Sequence, residues 1–201
     1  MPIAIRRRPV ILAAGMVLAC MAALASAPTA ALTVEEAYQE MQHRHASLDP
    51  TSRGFSRDEA AFLSRLFELV DLAIVEKMQA WTWFQSEGRK GKAVQEYRGR
   101  VDSLVAILDG LPAPERLRDV QRLLVDAIRD QRAFFETWNE ALTVAAAGRD
   151  TRVIDRSRGR VLKSSSRKLH QVYGDLMNLF PDAGQQNFDA FYDHMCVLDL
   201  L

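Results

Sequence analysis

The residues best suited to metal or nucleophilic chemistry are sparse and lie toward the two ends of the chain. They include His43, His45, His194 and Cys196. One cluster from these four would need both terminal segments to pack at the same end of the molecule. Read as part of a helix over about 34–47, His43 and His45 stand at i and i+2, on opposing helical faces. His194 and Cys196 repeat that spacing. Neither pair chelates one ion from a regular helix, and the ligand spacing of structural or catalytic zinc is missing. The sequence therefore assigns no metal ligands, reading the histidines as solvated and Cys196 as a small buried hydrophobe.

Cofactor chemistry finds no better support. Covalent haem needs Cys-x-x-Cys-His, which the chain lacks. A di-iron carboxylate site needs two Glu-x-x-His motifs, and only Glu40-Met41-Gln42-His43 fits. Met41 or His43 with His170 offers a non-covalent haem pair, but core methionines usually fill space. Ser165-Ser166-Arg167-Lys168 matches Ser-x-x-Lys without the companion motifs of the hydrolases that use it, and no Gly-x-Ser-x-Gly elbow is present. The expectation is no catalytic residue and no cofactor.

The elements that must position these groups are helical. Thr33-Val34-Glu35-Glu36 and Ser56-Arg57-Asp58-Glu59 read as capping boxes, opening a short helix near 34 and a long one at 57. The connection between them holds Pro50 and Gly54. Apolar residues then recur at helical spacing along 57–87, from Phe62 to Phe84, and along a third segment as Val94, Tyr97, Val101, Leu104 and Leu108. A fourth helix runs from the Pro112-Ala113-Pro114 break to Gly148, with Leu117, Val120, Leu124, Ile128, Phe135, Trp138, Leu142 and Ala145 inward. A fifth spans about 151–179, and a short last one carries Phe188, Phe191, Met195 and Leu198. No stretch alternates with period two. The expected fold is all-α, an antiparallel up-down four-helix bundle with short N- and C-terminal helices.

The N-terminus reads as an export signal. Arg6, Arg7 and Arg8 precede an apolar run from Val10 to Leu24, and small residues follow. That run is shorter than the ~20 residues a spanning helix needs. Residues 1–31 are expected to be removed, leaving 32–201 as one domain, periplasmic or extracellular. Val17-Leu18-Ala19-Cys20 resembles a lipoprotein box, so a membrane anchor is expected only where Cys20 is lipidated. Loss of the three arginines takes Lys+Arg from 26 to 23 against 26 acidic residues, a net charge near −3. That balance argues against nucleic acid as a partner. Cys196 becomes the one cysteine of a soluble mature chain, which excludes an internal disulfide.

One region stands apart. Helices of about 30 residues over 113–147 and 151–179 should overhang a shorter helix ending near Leu111, leaving Phe134, Phe135, Trp138 and Leu142 facing Val153, Ile154 and Val161. The fifth helix there carries Arg152, Arg156, Arg158, Arg160, Lys163, Arg167 and Lys168. Aromatic and arginine side chains dominate interface anchors. The expectation is an exported, non-enzymatic protein that binds a protein partner, itself or an anionic ligand. Phe134, Phe135 and Trp138 would anchor the contact, with Arg156, Arg158, Arg160 and Lys163 steering. The alternatives are a periplasmic enzyme or cofactor or metal carrier, and a lipid-anchored envelope protein. The other cover open to the aromatics is the Trp81–Phe84 end of the long helix.

Overall fold

The computed structural model describes residues 32–85 and 90–199, so the expected export signal and the lipoprotein box lie outside the described residues. What is described is all-helical. The elements are α1 (Val34–Glu40), α2 (Arg57–Gln85), α3 (Lys90–Asp109), α4 (Arg118–Ala146), α5 (Arg152–Leu179) and α6 (Gln185–Asp199), with a 3₁₀ turn at Glu115–Leu117. No described helix is long and apolar enough to cross a membrane.

Local chemistry accounts for the boundaries. Thr33 and Glu36 exchange both bonds of a capping box, with the Thr33 amide donating to Glu36 Oε2 at 2.8 Å. The Ser56 amide donates to Glu59 Oε2 at 2.9 Å, and the Glu59 amide donates back to Ser56 Oγ. Each pair satisfies N–H groups that a helix start leaves without partners. At the other end of α4, Gly148 takes φ of +67°, and the Arg149 amide reaches back to the Val144 carbonyl. That is the left-handed termination glycine favours.

The apolar faces meet in one continuous core. α2 packs on α3, α3 on α4, α4 on α5 and α5 on α6, while α1 and α6 also pack against α2. Leu63, Leu66, Val70 and Ile74 of α2 are buried, as are Val101 and Leu108 of α3 and Leu124 and Ile128 of α4. Leu169, Val172 and Leu176 of α5 and Phe191 and Leu198 of α6 join them. Ala145 is exposed, because the inward stripe of α4 ends at Ala141.

Two polar devices dock the C-terminal part of the domain. Asn187 of α6 accepts from the Asp49 amide at 2.8 Å and donates to the carbonyls of Asp49 and Ala183. Ser52 Oγ donates to the Ala183 carbonyl at 2.7 Å. Gly54 lies so close that a Cβ would come within 2.8 Å of the Ala183 backbone. Deeper inside, the fully buried Lys77 donates to the Val197 and Leu198 carbonyls, and Gln131 donates to the Leu198 carbonyl. These donors satisfy carbonyls in the last turn of α6, where cationic groups are favoured.

Candidate functional site

A polar cluster is built where α1, α2 and α6 converge. The helix expected over 34–47 is shorter than its pattern suggested. α1 stops at Glu40, Gln42 adopts a left-handed φ of +56°, and the His43 amide bonds back to the Tyr38 carbonyl. Residues 43–49 continue as a non-helical strap. The i, i+2 objection to a joint role for His43 and His45 applied to a regular helix and lapses here. In the strap both rings turn toward α6, His45 to the side shared with α2.

His45 Nε2 lies 3.1 Å from Asp71 Oδ2, while its Nδ1 faces Glu35 at 3.8 Å. His194 Nε2 lies 3.3 Å from Asp71 Oδ1. The Tyr38 hydroxyl donates to that same Oδ1 at 2.9 Å. The second nitrogen of His194, Nδ1, is 2.7 Å from the Ala190 carbonyl. A carbonyl only accepts, so Nδ1 carries the hydrogen and Nε2 is the atom turned to the aspartate. His194 is 2% exposed, its ring lies 4.5 Å from that of Phe67, and Tyr38 covers His45 at 4.7 Å.

The electrostatics follow from this enclosure. Burial alone would push the Asp71 carboxyl up. The hydrogen bond and charge of His194, the Tyr38 hydroxyl and the charge of His45 together hold it below its ordinary value. Burial first, and then the Asp71 charge, drive the Tyr38 phenol upward, so it stays a donor. Next to this group, His43 Nδ1 lies 3.7 Å from Asp193 Oδ1, and its Nε2 lies 3.7 Å from Cys196 Sγ. Cys196 is part-exposed rather than the buried hydrophobe the sequence suggested. His170 stands apart on α5, 3.4 Å from Asp199.

The basic region of α5 is arranged differently. α3 spans 20 residues while α4 and α5 span 29 and 28, and no residue of α5 before Ser165 is buried. The aromatics expected as outward anchors face inward. Phe135 is fully buried and Phe134 nearly so. Trp138 is half-buried, 4.9 Å from Phe84 in a stacked pair and 5.3 Å from Trp81. The C-terminal end of α2 covers these rings, because three large aromatics on adjacent turns span more than one stripe and need a second helix.

Of the basic side chains, Arg158 turns inward. Its guanidinium stands 5.8 Å from the Trp138 ring and pairs with Asp155 at 3.2 Å. Arg156, Arg160 and Lys163 are exposed and make no ion pair among the described residues. Arg156 and Arg160 line a surface recess together with Val153, which is 71% exposed. No family model matches this chain, and no curated protein or solved structure matches it either.

Proposed function

We propose that the chain is an exported protein, built as an antiparallel up-down four-helix bundle with short terminal helices, that acts by binding an acidic protein partner on the outer face of α5. The bundle reading rests on consecutive long helices packing on one another across short connections. The export reading rests on the charged and apolar layout of residues 1–31. The binding reading is carried by one observation: exposed Val153 shares a surface recess with Arg156 and Arg160, which have no carboxylate partners of their own among the described residues. An exposed apolar side chain beside two cationic ones suits a protein surface better than a free anion, which has no use for the valine. Phe134, Phe135 and Trp138 hold the hairpin together in this reading rather than touching the partner.

Two measurements test it. The mature N-terminus should begin between Ser26 and Leu32; retention of Arg6–Arg8 overturns export, and a lipid-modified Cys20 replaces release with anchoring. Binding of the purified domain to an acidic polypeptide such as polyglutamate should weaken as salt rises. It should drop at least tenfold when Arg156, Arg160 and Lys163 are reversed to glutamate. Binding that ignores both salt and the reversal overturns the assignment of this face. A dimer abolished by Val153→Glu would instead make a second copy the partner.

A further inference from the structure

The histidine–aspartate cluster supports a separate inference, independent of the α5 surface. We propose that His45, Asp71 and His194 bind one exchangeable divalent cation of the zinc class, joining the strap after α1 to α2 and α6.

The donor atoms stand close together. Ligands about 2.0–2.2 Å from a common zinc ion stand roughly 3–3.6 Å apart when tetrahedrally disposed. The two nitrogen–oxygen separations are 3.1 and 3.3 Å, and all three donor groups lie within 4.8 Å of one another. The two nitrogens face different oxygens of Asp71, so an ion would enter as the three side chains draw together around it. The donors also come from three separate elements, which is how a folded chain brings together ligands that no short motif supplies.

The rings are oriented toward the same carboxylate. A metal-binding histidine usually gives its other nitrogen's hydrogen to a carbonyl or carboxylate, which fixes the tautomer and aims the free nitrogen at the ion. His194 does this with the Ala190 carbonyl at 2.7 Å, and His45 turns its Nδ1 toward Glu35. Both Nε2 atoms thus converge on Asp71, and the Tyr38 hydroxyl holds its Oδ1 with a 2.9 Å bond. With Nδ1–H given to the Ala190 carbonyl, only a second ring proton lets Nε2 donate to the Asp71 oxygen 3.3 Å away, and a metal ion would take the place of that proton.

The donor set selects the class of ion. Two imidazoles and one carboxylate suit zinc and its transition-metal neighbours better than calcium or magnesium, which take oxygen ligands. Three protein ligands leave a four-coordinate ion open to an outside ligand, whereas a structural zinc closes its shell with four. The ion should therefore exchange, and chelation should leave the helices standing.

The test uses the purified domain stripped with a chelator and titrated with Zn²⁺ alone, in competition with a chromophoric indicator. One ion per chain should bind, and Co²⁺ in its place should give visible ligand-field absorption. His45→Ala should weaken binding at least tenfold, and because His45 sits on the strap its loss should leave far-ultraviolet circular dichroism unchanged. His194→Ala removes a buried ring and can cost the fold itself, so His45→Ala and Asp71→Asn carry the decision. Tyr38→Phe, which deletes only the supporting bond, should lose about tenfold. His170→Ala should bind as the parent does. Less than one ion per chain, or full affinity in His45→Ala, overturns the site. So does loss of the ion in His43→Ala or Cys196→Ser while His45→Ala retains it, since the ion would then belong to the neighbouring group.

Discussion

The histidine cluster and the basic stretch of α5 are opposites in construction. The first draws His45, Asp71 and His194 from three elements and encloses their polar atoms among aromatic rings. The second comes from one stretch of one helix and spreads its charge into solvent. The contrast shows what enclosure does to polarity. Inside, every polar atom must find a defined partner, so orientation is fixed and chemistry can be specified. Outside, water satisfies the arginines whatever their direction, and specificity has to come from a partner.

The contrast can be broken most forcefully at Phe135. If the aromatics beneath α5 served an outside partner, removing one would cost the isolated domain little. Because Phe135 is fully buried against Phe84 and Tyr97, Phe135→Ala should destabilise it by about 3–5 kcal/mol in urea unfolding. A loss well below that range would return the ring to the surface.

A second effect is a slope with pH. Burial pulls the Lys77 ammonium from its ordinary 10.5 down to about 7, against the opposing charges of Asp199 and Cys196. Between those values the unfolded chain holds a proton that the folded chain does not, so this residue makes stability rise with pH across the window. Below about 7 both states are protonated and its contribution is flat. Unfolding free energies measured from pH 7 to pH 10 should lose that rise in Lys77→Met. An unchanged slope would mean the ammonium keeps its charge inside.

The smallest effect sharpens the description of the strap. Gln42 carries a left-handed φ that a side-chain-bearing residue adopts at a cost of roughly 1–2 kcal/mol. Gln42→Gly should recover about 1 kcal/mol, raising the melting temperature by roughly 2–4 °C in a domain of this size. Destabilisation would show that the glutamine side chain has a role of its own at the end of α1.

Gln42 also explains what was legible in the sequence. The capping boxes at Thr33 and Ser56, the apolar seams of α2 and α3, and the charge run on α5 are local patterns, readable because their cause lies within a few residues. The end of α1 is not of that kind. No glycine or proline stands between Glu40 and His43, and the helical pattern could have run on to 47. Packing of the strap against α6 stops it instead, and with the helix went the reason for separating His43 from His45. Asp71 was missed for a related cause. It is one acidic residue on a long amphipathic helix, and only contacts with residues 26, 33 and 123 positions away distinguish it. Periodicity along α4 places Phe135 inward, but the cover that Trp81 and Phe84 give the aromatics depends on the register of α2 against α4, which neither helix contains alone.

The bonds between Asp49 and Asn187 have a consequence for the order of assembly. They join positions 138 residues apart, whereas α4 and α5 are joined by a connection of a few residues. Closing the longer loop spans about five doublings of length, roughly 3 kcal/mol of additional chain entropy before any contact is gained. The α4–α5 hairpin can therefore form as soon as its own residues are available. The seam that holds the strap to α6 must wait for almost the whole domain. In a refolding experiment the amides of α4 should gain protection from exchange first, and those of the strap last. His45 and His194 would meet only at the final step, so their encounter reports completion of the fold.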